Sequence, residues 1–195
     1  MKGSRRIDTA WVSFDKPKNR IASPLFEMTD TVKSTMICVF VIFMVFFRAV
    51  SVSGDSMVPT LNDKNWVMIT AITPGVKRGD IVVITQPWVR NNAIIKRVIG
   101  VEGDVVDIDF NKGEVYVNGE LLDEPYIAEP THLDYDVRFP VTVPPHKVFV
   151  MGDNRNESLD SRSGSVGFID ENYILGKGIY RIVPKLKSIR YKPQS

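Results

Sequence analysis

"NNAIIKRVIGVEGD", residues 91–104, is the stretch on which the architecture turns. Asn91-Asn92 and Gly103-Asp104 punctuate a run dominated by Ile94, Ile95, Val98, Ile99 and Val101, too short for a helix and β-branched throughout, which reads as a strand. In a strand, successive side chains leave opposite faces, so Ile94, Lys96 and Val98 share one face and Arg97 points the other way. Two readings follow. Lys96 and Arg97 are a charged pair on an edge strand, where such pairs block edge-to-edge aggregation, or the first face is inward and the Lys96 ammonium loses its water.

Working outward, the same texture recurs in "WVMITAI" (66–72), "DIVVITQ" (80–86), "DVVDIDF" (104–110), "EVYVNGELL" (114–122), "VRFPVTV" (137–143), "KVFVMGD" (147–153) and "GIYRIV" (178–183). Pro, Gly, Asp and Asn separate these runs too closely for helices between them. "NG" at 118–119 marks a hairpin, since both residues tolerate positive φ. The chain from residue 53 to 195 is expected to be a mostly β domain, an antiparallel sheet or sandwich. Residues 122–146 read only as an irregular surface excursion.

Upstream the texture is different. "STMICVFVIFMVFF" (34–47) is uncharged and has no polar face, and it reaches residue 52 if Arg48 snorkels, which predicts a transmembrane anchor over 34–52. A cleavable secretory leader is the alternative, but the long segment ahead of the apolar run and Arg48 at its end speak against it. Residues 1–33 hold seven Lys/Arg against four acids, so by the positive-inside rule this tail stays in the cytoplasm and the β domain faces outward.

Gross composition excludes more than it suggests. At 195 residues there is room for one well-buried domain and a small appendage. A net charge of +2 with no basic block interleaved with aromatics argues against nucleic acid. The single cysteine, Cys38, permits neither a disulfide framework nor a Cys-based metal site.

Behind the apolar run comes "SVSGDSMVPTL" (51–61), with Ser56 placed between the expected anchor and a proline. A nucleophilic serine needs a base. His132 and His146 sit in no catalytic pattern, and no G-x-S-x-G elbow is present. A lysine serves only if desolvated, because at its ordinary pKa about one in 2,500 is neutral at pH 7, and neutralisation there requires on the order of 4–5 kcal/mol of differential solvation. Lys96 is the candidate. "MGDNRNESLDSRSG" (151–164) adds a turn-rich loop in which Asp160 and Arg162 are placed to pair and Ser158 to hold the amine.

"GDSMVPTL", "RGDIVVI", "IIKRVIGVEGD" and "GDNRNESLDSR", in this order behind an apolar segment, resemble the successive boxes of the bacterial type I signal peptidases. That resemblance implies a membrane-anchored serine endopeptidase with a Ser/Lys dyad. Ser56 would be the nucleophile and Lys96 the general base, with Ser158 orienting the lysine and Asp160 and Arg162 supporting the loop. Val52, Met57, Leu61, Ile94 and Ile95 match the walls of shallow pockets for small residues at the first and third positions before the cut. Gly54 stands where many Gram-negative relatives carry an oxyanion-donating hydroxyl, as it does in Gram-positive relatives. Either Gly164 or Gly167 would match a glycine that follows the arginine. The implied partners are signal peptides of exported preproteins and the lipid bilayer, at the outer face of the cytoplasmic membrane; no cofactor or metal is called for. Alternatives are a narrow-substrate, conjugation or pilin-processing peptidase with the same dyad, and a non-catalytic membrane-anchored peptide-binding module. The basic and apolar C-terminal stretch "YRIVPKLKSIRYK" (180–192), or the aromatic Trp88, is expected to help the domain lie on the membrane surface.

Overall fold

The computed structural model describes residues 24–71, 75–85 and 93–190. Trp88 therefore lies outside the described residues, as does the expected cytoplasmic tail up to residue 23. The chain divides into two compact units, Met1–Val41 and Ile42–Ser195.

Helix α1 (Pro24–Phe46) opens on a proline, whose missing N–H has no partner to lose in a first turn. Its stretch Met28–Phe46 is long and apolar enough to cross a membrane, and none of it is buried within the protein. This segment and the expected span of 34–52 do not coincide. At the N-terminal side the helix runs back past Lys33, whose ammonium lies 3.3 Å from Asp30 one turn earlier, so both charges are carried on the helix itself. At the C-terminal side Arg48 interrupts the apolar run, and residues 47–51 are extended because a neighbouring strand satisfies their backbone.

That strand is β1 (Phe47–Ser51), followed by β2 (Trp66–Thr70), β3 (Ile81–Ile84), β4 (Ile94–Gly100), β5 (Val105–Asp109), β6 (Glu114–Val117), β7 (Glu120–Leu121), β8 (Val141–Thr142), β9 (Lys147–Met151), β10 (Ile169–Asp170), β11 (Ile174–Val183) and β12 (Lys187–Ser188). The larger sheet has the order β1-β2-β11-β3-β4-β9-β10, with β12 added to β11, and the smaller one runs β7-β6-β5-β8. Pairing is antiparallel throughout. Asn118 and Gly119 have φ of 55° and 83° and join β6 to β7 in the two-residue hairpin expected.

The centre of the larger sheet is covered on both faces, and its strands accordingly read as unbroken apolar runs. On one face Ile81, Val83 and Ile95 pack with Val52, Met57, Leu61 and Ile69. On the other, Val82, Ile84 and Val98 pack with Val148, Val150 and Ile169. A third cluster joins the smaller sheet to Phe149 and Met151 of β9, with Phe139 edge-to-face on Phe149 at 5.9 Å. Strand β4 lies between β3 and β9, so the edge-strand reading of Lys96 and Arg97 falls.

Candidate active site

Ser56 sits on a loop whose two ends are pinned together. The Val52 N–H donates to the Asn65 carbonyl at 2.8 Å and the Lys64 N–H to the Val52 carbonyl at 3.0 Å. Within it the Leu61 N–H reaches the Met57 carbonyl at 2.8 Å, and both side chains are buried in the first apolar cluster. Anchoring by Val52, Met57 and Leu61 leaves Ser56 half-exposed above the sheet. Gly54 has a φ of +86°, a conformation that favours glycine, and its N–H donates to Asp63 Oδ1 at 3.1 Å.

Lys96 comes from the middle of β4 and is 4% exposed. Its Nζ lies 2.6 Å from Ser56 Oγ, so an ammonium donates to the hydroxyl and a neutral amine accepts from it. Burial lowers the lysine pKa to about 8. The carboxylates of Asp160 and Asp153 pull it back up, and the Arg162 guanidinium opposes them. The structure thus brings together the two groups that the sequence separates by forty positions.

The loop after β9 closes over this pair. Asn154 donates its backbone N–H to the Ser56 carbonyl and its side-chain amide to the Asp55 carbonyl, each at 3.1 Å. Gly152 lies so close that a Cβ there would collide with the Ser158 hydroxyl and the Ser56 carbonyl oxygen. Asp160 and Arg162, both fully buried, pair through two contacts of 2.9 Å, and Asp160 Oδ2 also accepts the Gly152 N–H at 3.0 Å. Ser158 is buried too, but its Oγ has no hydrogen-bond partner, so the expected grip on the Lys96 amine is not formed. Its hydroxyl is packed against Gly152 instead. Gly167, at φ +60°, and Gly164, whose N–H donates to Asp136 Oδ1 at 2.8 Å, shape the exit of the loop.

Several members of this assembly had not been singled out in the sequence for what they do here. Arg97 does point away from Lys96 yet is only 1% exposed; its Nε and Nη2 meet Asp153 at 2.7 and 2.6 Å, and its guanidinium lies 3.8 Å beneath the Tyr126 ring. Burial pushes the Tyr126 phenol up from its ordinary pKa. Thr60 Oγ1 donates to Asp153 Oδ2 at 2.5 Å, tying the Ser56 loop to the same pair. The excursion that carried no readable function is a strap over the site loop. Glu124 pairs with the buried Arg155, which also donates to Thr131 Oγ1 at 2.9 Å. The Tyr135 hydroxyl donates to the Ser158 carbonyl at 3.0 Å and Arg162 Nη1 to the Leu133 carbonyl at 3.0 Å.

Beside the pair opens a cleft of about 260 Å³ lined by Val50, Ser51, Val52, Ser53, Ser56, Met57, Ala93, Ile94, Ile95 and Lys96. Four of the five expected wall residues line it; Leu61 is buried beneath, in the apolar cluster with Met57. A larger cavity of about 570 Å³, walled by residues such as Phe110, Tyr135 and Phe139, shares no lining residue with that cleft. Among the described residues no cluster of His, Cys, Asp and Glu is arranged to hold a metal ion.

The family model described as "Signal peptidase, peptidase S26" matches residues 25–183. Signal peptidase I U of Bacillus subtilis is 37% identical over 147 residues, covering 71% of this chain and 76% of that protein. Signal peptidase I S of the same organism is 34% identical over 172 residues, 82% of this chain and 90% of that one. Probable signal peptidase I-2 of Synechocystis is 37% identical over 166 residues, 81% and 73% respectively.

Proposed function

The chain belongs to the type I signal peptidases of peptidase family S26, serine endopeptidases that remove signal peptides, and on that premise we propose that Ser56 and Lys96 carry the chemistry. What supports this most directly is the 2.6 Å contact between a half-exposed hydroxyl and a buried amine with its pKa lowered to about 8. At that value about one lysine in ten is neutral at pH 7, against about one in 2,500 for a free one.

Neutral Lys96 takes the Ser56 proton as Oγ attacks the scissile carbonyl. The tetrahedral intermediate places its negative charge on the former carbonyl oxygen. The Ser56 backbone N–H, which has no hydrogen-bond partner among the described residues, is the donor in reach; Gly54 supplies no side chain for the purpose. Collapse breaks the C–N bond, the lysine proton passes to the leaving amine, and an ester on Ser56 remains. Water, deprotonated by Lys96, then hydrolyses the ester. Asp160, Arg162 and Gly152 hold the loop that closes over the dyad, and Ser158, buried and unpartnered, supplies the hydroxyl that takes up the amine when Ser56 is acylated.

The cleft fits a short apolar side chain on an extended peptide. The apolar walls formed by Val52, Met57, Ile94 and Ile95 support a preference for small apolar residues at the first and third positions before the cut. The protein has a single N-terminal apolar helix long enough to cross a membrane among its described residues. The basic excess before it supports an orientation with the N-terminus in the cytoplasm and the β domain on the outer face, where signal peptides and the bilayer meet it.

Purified protein with a preprotein carrying Ala-x-Ala before the cut tests the assignment. Cleavage is expected from the wild type and abolished in Ser56→Ala and in Lys96→Ala. Wild-type turnover surviving in either variant would remove that residue from the dyad, and binding without turnover by the wild type would leave only a peptide-binding module.

A further inference from the structure

The peptide group between Asp55 and Ser56 carries the N–H that is left to serve the oxyanion, since the Ser56 N–H has no hydrogen-bond partner among the described residues. Its other end is held twice. The Asp55 carbonyl accepts the Val58 N–H at 3.1 Å, which closes a four-residue turn, and it also accepts the side-chain amide of Asn154 at 3.1 Å. The next peptide group, from Ser56 to Met57, is held by the same residue, because the Asn154 backbone N–H donates to the Ser56 carbonyl at 3.1 Å. Asn154 thus grips both peptide planes that flank the Ser56 Cα, from 99 positions beyond Asp55 in the chain. Its side chain gives up an ordinary use to do so. An asparagine placed just ahead of a helical turn, as Asn154 is ahead of the 3₁₀ turn Arg155–Glu157, usually aims its side-chain oxygen at the N–H groups of that turn. No such bond is made here, and the amide reaches across to Asp55 instead.

We propose that Asn154 is a positioning residue for the oxyanion: by donating to the Asp55 carbonyl, its side-chain amide fixes the plane of the Asp55–Ser56 peptide and strengthens the N–H at the other end as a donor. The proposal rests on Ser56 being the nucleophile. Two effects combine. The Val58 bond comes from within the same short turn and moves with it, whereas Asn154 belongs to the loop after β9 and ties the peptide to a second element. A donor on the carbonyl end of an amide also polarises it, so that its N–H binds an anion more strongly. Both effects grow as the scissile carbonyl oxygen gains negative charge, and so they act on kcat rather than on KM. With Gly54 offering no hydroxyl, the quality of this backbone donor matters the more.

The test uses the full chain in an uncharged detergent and two probes built on one Ala-x-Ala peptide, the first ending in an aldehyde and the second in the corresponding alcohol. In the aldehyde adduct a bond forms between Ser56 Oγ and the carbonyl carbon, the hydroxyl proton passes to Lys96, and the charge rests on the former carbonyl oxygen; the alcohol forms no adduct. The wild type is expected to bind the aldehyde more tightly than the alcohol, and Ser56→Ala to bind both alike. A wild type without that preference removes Ser56 as the nucleophile and the proposal with it, whereas a failure at Asn154 alone leaves the dyad standing. Asn154→Ala keeps the backbone N–H and loses the amide. It should lower kcat for preprotein cleavage and the aldehyde affinity by about tenfold or more, with KM and the alcohol affinity changed by less than about twofold. Asn154→Asp keeps the shape but turns an acceptor toward the Asp55 carbonyl, so it should lose at least as much, which a merely space-filling role would not require. An unchanged kcat, an equal loss of affinity for both probes, or failure of both variants to fold by circular dichroism overturns the proposal.

Discussion

Lys96 is kept dry by its own sheet, and this has two measurable consequences. Its pKa of about 8 should appear as the acidic limb of kcat/KM for preprotein cleavage, with activity rising through that pH as the amine loses its proton; a limb near pH 10 would contradict base catalysis by Lys96. Stability should follow with a defined sign. The folded pKa lies below the unfolded value of 10.5, so between about pH 8 and 10.5 the unfolded chain holds the extra proton and folding becomes more favourable as pH rises. Measured as the difference between wild type and Lys96→Met, this gain should be roughly 3 kcal/mol across that window and absent below it. Gly152 makes a second prediction at this scale. A methyl group there pushes on both Ser158 and the Ser56 carbonyl, so Gly152→Ala is expected to lower kcat by about 100-fold, in line with the cost of misplacing a reacting group. Circular dichroism should still show a β domain.

Among the elements, the strap and the site loop hold each other through buried charges. Replacing Glu124 by Gln leaves Arg155 charged, buried and without its carboxylate, which should cost about 3–5 kcal/mol in denaturant unfolding. The double variant Glu124→Leu/Arg155→Met should recover much of that loss, since no lone charge remains. The strap also marks the limit of what the sequence displays. The long strands were legible because β-branched runs bounded by Gly, Pro and Asp carry their period locally, and the Asn118-Gly119 turn states its own backbone angles. Strands β1, β10 and β12 were not, two being dipeptide pairings and the first hidden in the tail of an apolar run that looked like continued helix. The strap's order comes from Glu124 meeting Arg155 across 31 positions and from the Tyr126 ring covering the Arg97 guanidinium, contacts that no local pattern announces. Ser56 and Lys96 stood out through motif order. That Arg97 would be as deeply buried as its neighbour needed the sheet order, which places β4 in the interior.

For the whole molecule, the residues that follow α1 are tied into the larger sheet. Strand β1 pairs with β2 along its full length, from Phe47 opposite Thr70 to Ser51 opposite Trp66, so residues 47–51 are part of the larger sheet. A chain starting at residue 42 should therefore fold and cleave a soluble Ala-x-Ala peptide in detergent. One starting at residue 53 loses an edge strand and the Val52 side chain, and should melt at least several degrees lower with reduced turnover. Equal melting points would show that β1 is dispensable. Strand β4 has apolar layers against both faces, and only that stacking deprives its amine of solvent. A newly made or damaged copy, with the layers not yet assembled or already parted, holds its lysine as a hydrated cation beside an inert alcohol. On the proposed dyad, proteolytic power arrives with the last stage of assembly and departs with the first stage of unfolding, so an immature copy cannot cut itself.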